Sequence, residues 1–160
     1  MYHLKPLWIY TLKSFVKIVV LLLSLLLSNV LYSYAESYGD YQGAIYLQNY
    51  DGDTIRFNLP QYPPIAGKDI RVRVNGIDTP EIKGKCEKEK YEAKQARDMV
   101  ADILKDAEKI TLKNMKRGKY FRIAADIIVD GESLGDMLVE AGLAVHYNGG
   151  KKKTHQWCEE

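Results

Sequence analysis

A chain of 160 residues, 46% hydrophobic and 28% charged, has room for one core and not for several domains. Its formal charge is +2, but Lys5, Lys13 and Lys17 lie in a first stretch of 35 residues that has no acidic residue; without it, 20 basic residues face 21 acidic ones. A near-neutral domain excludes polyanion binding by bulk charge, so any grip on phosphate must come from locally placed arginine and lysine.

The first predicted element is a leader. The three lysines precede an uncharged run from Ile18 to Ala35 built on IVVLLLSLLLS, the basic-then-apolar order of an export signal. Ser33-Tyr34-Ala35 places small residues where a signal peptidase reads, so residues 1–35 are expected to be removed after Ala35. Residues 36–160 then form the mature domain, periplasmic or secreted. The alternative is an uncleaved membrane anchor, because the apolar run approaches the ~20 residues that span a bilayer. Polar Ser28, Asn29 and Ser33, with Tyr32 and Tyr34, speak against it.

GAIYLQNY (43–50) and DTIRFNL (53–59) are β-prone runs around an Asp-Gly turn signal. After a Pro/Gly loop (60–68), DIRVRVNGI (69–77) alternates Val72 and Val74 with Arg71 and Arg73, which puts both arginines on one face of a strand. From Glu87 to Glu108, apolar residues at 93, 96, 100, 103, 104 and 107 follow helical spacing. KITLKNM (109–115) and YFRIAADIIVDG (120–131) read as two further strands joined by a basic loop, 116–119. Ser133 then caps a second helix that Gly142 closes. Five strands, with a long helix after the third and a shorter one after the fifth, predict an α+β, mainly β domain, a small barrel of OB-fold type.

Cys86 and Cys158 are the two cysteines, and both fall in the mature part. Passage through an oxidising compartment makes a disulfide the expectation, worth roughly 3 to 5 kcal/mol in the chain-entropy model. The spacing does not suggest zinc. His3, His146 and His155 lack any partner spacing for catalysis or metal.

The polar residues that remain gather at two strand ends. Asp51, Asp53 and Thr54 open one strand, and Asp78, Thr79 and Glu81 follow another. Oxygen donors without nearby Cys or His favour Ca2+ or Mg2+ over softer metals. Alone, Asp51-Gly52-Asp53 is an ordinary turn and Asp78-Thr79-Pro80 an ordinary loop start. Their combination with Arg73, five residues before Asp78, and with Arg122 at the head of a later strand is far more specific.

Through DGDT (51–54), RVNGIDTPE (73–81), KYFRIAADIIVDG (119–131) and LVEAGLA, the sequence resembles the staphylococcal nuclease (thermonuclease) family over residues 43–147. That resemblance implies a five-stranded OB-type barrel and Ca2+-dependent hydrolysis of DNA and RNA, with little sequence preference and 3′-phosphate products. It implies Asp53 and Asp78 as carboxylate ligands of Ca2+, Thr79 as a backbone-carbonyl ligand, and Asp51 as a carboxylate behind them. Glu81 takes the place of the general base, and Arg73 and Arg122 those of the phosphate-binding arginines. Arg117 is a weaker rival for Arg122, and Arg71 reads as a solvated neighbour.

Tyr120 and Tyr147 are expected to stack on a base or sugar, and Lys151, Lys152 and Lys153 form a basic run that suits a phosphate backbone. The partners implied are DNA and RNA, with a monomer expected. Two departures stand out: Phe121 where the family often has Gly, and an end too near the second helix for the third helix of longer members. A catalytically weak or silent OB-fold nucleic-acid-binding module is the alternative.

Overall fold

The computed structural model describes residues 16–24, 37–118, 122–150 and 157–158, and divides into a unit Met1–Ser37 and a unit Tyr38–Glu160. In the first unit, residues 16–24 form a helix, α1, with exposed apolar side chains. Among the described residues, no helix is long and apolar enough to cross a membrane. Ala35, the expected cleavage point, lies outside the described residues, as do Tyr120, Phe121 and the lysines 151–153.

The second unit is α+β, mainly β, a curled half-barrel of OB type. Its described elements run β1 (Tyr41–Gln42), β2 (Ile45–Asn49), β3 (Thr54–Asn58), α2 (Pro64–Gly67), β4 (Ile70–Val74), β5 (Ile77–Asp78), α3 (Glu87–Asp106), β6 (Ile110–Arg117), β7 (Ile123–Val129), β8 (Glu132–Ser133), α4 (Leu134–Glu140) and β9 (Val145–His146). The five expected strands are β2, β3, β4, β6 and β7. The main sheet has the order β1-β6-β7-β4-β3-β2, with β8 on β7, and β5 pairs separately with β9. All pairs are antiparallel except β4 with β7.

Period-two patterning drives the sheet inward on one face. Ile55 and Phe57 of β3, Val72 and Val74 of β4, and Ala125, Ile127 and Val129 of β7 are buried, while their strand neighbours are less so. Ala96, Val100 and Leu104 of α3 and Leu134 and Leu138 of α4 join them in one core. Each fully buried Leu, Ile or Phe contributes about 1.5–3 kcal/mol.

The turn chemistry departs from a simple reading of Asp-Gly pairs. Asp130 and Gly131, with φ of 51° and 101°, make the two-residue hairpin that turns β7 into β8. Asp51-Gly52 does not: β2 ends at Asn49, β3 starts at Thr54, and Gly52 is not among the residues with positive φ. The basic segment after residue 115 is also partly strand. A bulge between Lys113 and Lys116, with Asn114 at φ 52°, lets Lys116 and Arg117 pair with Ala124 and Ile123.

Both long-helix ends are explained locally. The Cys86 sulfur accepts from the Glu89 N–H at 3.4 Å and caps α3, where Glu87 and Glu89 complement the helix dipole. Cys86 is joined to Cys158, Cα to Cα 6.0 Å, which fixes the chain's tail to the start of α3. Beyond its C-terminus, the N–H groups of Glu108 and Lys109 donate to the Asp130 carboxylate at 3.2 and 2.7 Å. For α4, Ser133 Oγ accepts from Asp136 N–H, and Gly142 at φ 71° ends the helix with Leu143 N–H donating to Leu138 O.

Candidate functional site

The site begins with ladder register. Thr54 stands opposite Arg73 in the β3–β4 pair, and Val74 N–H donates to Asp53 O at 2.9 Å, so the start of β3 lies against the end of β4. Asn75-Gly76, with Gly76 at φ 74°, turns the chain into β5, whose last residue is Asp78. Asp53 and Asp78, distant in sequence, thereby meet.

Their meeting point is Arg73. Its Nη1 pairs with Asp53 Oδ1, and its Nη2 lies 3.1 Å from Asp78 Oδ1 and 3.3 Å from Ile77 O. Asp53 is 3% exposed and Asp78 1%, so these are charge-assisted contacts largely shielded from water. Thr79, also buried, donates its N–H to Asp53 Oδ2 at 3.4 Å. Burial opposes the Arg73 charge, but Asp53 and then Asp78 outweigh it and hold its pKa above the ordinary value.

Asp51 shapes the turn. Its Oδ1 accepts the N–H groups of Asp53 at 3.2 Å and Thr54 at 2.8 Å, an arrangement that aims Asp53 inward. Burial first, then the Asp53 charge, push its pKa up to about 6; those two N–H donors oppose the rise and the Glu81 charge adds to it. Asp53 and Asp78 thus meet on Arg73, and Asp51 stands behind them through its hold on the turn.

That donor set fits a hard divalent cation. The two buried carboxylates that meet at Arg73, Asp53 and Asp78, are hard oxygen donors of the kind that suits a cation such as Ca2+, which takes about six to eight oxygens. Among the described residues, the one set of three His, Cys, Asp or Glu side chains with potential ligand atoms within 4.8 Å of one another is Cys86, Glu89 and Cys158, and both of its sulfurs are spent in the disulfide.

Glu81 follows the buried Asp78-Thr79-Pro80 run and is exposed, its backbone O accepting from Gly84 N–H at 2.8 Å. Arg122 leads into β7, where its carbonyl accepts from Gly118 N–H at 2.7 Å. It stands two residues before Ala124, the register partner of Arg73. Arg71 is exposed and stands opposite Arg56 in the ladder. Tyr147 N–H donates to Gly76 O at 2.8 Å, beside the turn that delivers Asp78, and its hydroxyl donates to Gly150 O at 2.7 Å.

Three supports escaped the sequence reading. Asn49 Nδ2 donates to Asp51 O and to Arg97 O, both at 2.9 Å, and pins the acidic turn to α3. Gly52 is required by contact: a Cβ there would lie 2.8 Å from Ala96 Cβ and 2.9 Å from Thr79 Cγ2. Glu89, in the first turn of α3, is 9% exposed and accepts from the loop that carries Glu81. Its three-residue offset from Cys86 is that of a capping box, a signal masked because cysteine is not a usual N-cap.

An OB-type half-barrel with an arginine clamped between two buried carboxylates is the frame on which family comparison bears. Residues 71–159 match the family described as staphylococcal nuclease homologue, which is more than half of the chain. The chain belongs to that family. Membership makes it nuclease-like or nucleic-acid-binding, in a family that is generally Ca2+-dependent. No curated protein matches the chain. The matched span holds Arg73, Asp78, Thr79, Glu81, Arg122 and Tyr147; Asp51 and Asp53 lie before it and reach the site through the fold.

Proposed function

We propose that the protein is an exported, Ca2+-dependent nuclease that hydrolyses phosphodiester bonds of DNA and RNA with little sequence preference and leaves 3′-phosphate ends. The observation that carries this reading is the convergence of Asp53 and Asp78 on Arg73, within a family of nuclease-like domains. Asp53 and Asp78 would hold Ca2+ through their carboxylates and Thr79 through its carbonyl, with Asp51 keeping the turn in place. The bound ion supplies charge neutralisation and Lewis-acid polarisation at a phosphate oxygen.

Glu81 takes a proton from water, which attacks phosphorus as the bond to the 5′ oxygen breaks; that oxygen takes a proton from solvent and leaves as a 5′-hydroxyl, with the phosphate kept on the 3′ side. Arg73 and Arg122 bind the phosphate oxygens and stabilise the charge that grows on them in the five-coordinate transition state. Tyr120 and Tyr147 hold a base or sugar by stacking, which suits any sequence. The leader 1–35 supports export, with cleavage after Ala35; N-terminal sequencing of the exported protein is expected to begin at Glu36, and an intact N-terminus on membranes would favour the anchor.

The reaction is tested by incubating plasmid DNA and RNA with the protein in Ca2+, in Mg2+ and in chelator, followed by end-group analysis. Digestion with Ca2+, 3′-phosphate ends, and sparing by chelator are expected. Cleavage that survives chelation, or 5′-phosphate ends, would contradict the reading. Binding without cleavage would favour the silent OB-fold module.

A further inference from the structure

We infer that Glu89 is a positioning residue for Glu81: its carboxylate holds the 81–85 loop in the register that presents Glu81 to the reaction. This rests on the reading of Glu81 as the general base. Three independent contacts carry it. Glu89 Oε2 accepts the Lys85 N–H at 2.8 Å, Oε1 faces the Glu81 N–H at 3.5 Å, and Gly84 packs directly on the side chain. A Cβ on Gly84 would stand 2.5 Å from Glu89 Cγ and Cδ and 2.6 Å from Oε2. The two carboxylate oxygens thus serve opposite ends of the loop while a glycine lets the loop close over them.

The anchor is itself fixed. Glu89 sits in the first turn of a 20-residue helix, and its own N–H is bound to the Cys86 sulfur. Cys158, the other half of that disulfide, lies 3.8 Å from Oε2. A carboxylate 9% exposed at such a place is costly to bury unless its oxygens are used, and the loop N–H groups use them. Glu81 opens the turn that closes at Gly84, and Glu89 holds both ends of this segment, so a shift of the Glu89 carboxylate moves the backbone that carries the Glu81 side chain. A misplacement of about 1 Å in such a group costs on the order of 100-fold in rate.

The chemistry of the side chain makes graded predictions. Glutamine offers one accepting oxygen, and its NH2 opposes the other N–H, so Glu89→Gln retains at most one of the two bonds. Alanine retains neither. Gly84→Ala disturbs the same contact from the loop side and leaves the Glu89 carboxylate in the protein.

The test uses the full chain with its disulfide intact, measuring kcat and KM for single-stranded DNA, Ca2+ affinity by calorimetry, and thermal unfolding. Expected are a kcat lowered roughly 10- to 100-fold in Glu89→Ala, a smaller loss in Glu89→Gln and Gly84→Ala, and little change in KM or Ca2+ affinity. In a Glu81→Gln background, Glu89→Ala is expected to lower kcat no further, because a residue acting only through Glu81 has nothing left to position. If Glu89→Ala does not fold, Glu89→Gln and Gly84→Ala give the same comparison. Additive losses with Glu81→Gln, or an unchanged kcat, would overturn the inference while leaving the nuclease reading intact. An unsubstituted protein that does not cleave with Ca2+ would overturn that reading and, with it, the role of Glu89.

Discussion

A methyl group on Gly52 has no room between Ala96 and Thr79, and the turn that carries Asp51 and Asp53 packs on α3 only because that side chain is absent. Gly52→Ala is expected to cost about 1–3 kcal/mol, the usual penalty of overpacking, seen as a lowered denaturant midpoint. Arg73 is exposed differently to risk: it is the counter-charge of two buried carboxylates. Arg73→Ala is expected to destabilise the Ca2+-free protein by about 3–5 kcal/mol, and added Ca2+ to recover part of that in thermal melts. A melt that ignores Ca2+ in this variant would contradict the shared use of Asp53 and Asp78. Glu81 is exposed and outside the core, so Glu81→Gln should lower kcat by about 100-fold or more with little change in melting temperature.

At the scale of elements, the start of α3 is where the tail, the helix and the 81–85 loop meet. The Cys86–Cys158 bond closes a separation of 72 residues there, and replacing both cysteines with serine is expected to cost about 2–5 kcal/mol in chemical denaturation. An unchanged midpoint would mean that the tail is held by other contacts. The face of α3 was readable in advance because Ala93, Ala96, Val100 and Leu104 recur at helical spacing and are, with Glu89, the residues buried. The 81–85 loop was not, because its support is a side chain on the helix after it, reached through folding rather than through neighbouring residues. The two Asp-Gly pairs show the same limit. Identical dipeptides make a positive-φ hairpin at 130–131 and a close-packed connection at 51–52, where Gly52 packs against Ala96 of α3 and Thr79. Likewise Lys116 and Arg117 read as loop by composition, yet a bulge at Asn114 keeps them on the β6 ladder.

For the whole molecule, each half of the acidic site had a local signature, DGD in one place and DTPE in the other, but no local rule joins them. The antiparallel pairing of β3 with β4 and the turn into β5 do so, which is why Asp53 belongs to the site although the family match begins at residue 71. Near-neutral charge over residues 36–160 is consistent with the proposed function, in which phosphate would be met by placed arginines and a cation and not by a basic surface. Ca2+ that binds only the folded protein should stabilise it by about 2.7 kcal/mol at a concentration 100 times its dissociation constant. The most direct measurement is a Ca2+ titration by calorimetry, run beside DNA cleavage, on the unsubstituted protein, Asp53→Ala and Asp78→Ala. Ca2+ binding and cleavage should be present together in the first and lost together in both variants; binding that persists in either variant, or cleavage that continues without it, would contradict a shared metal site.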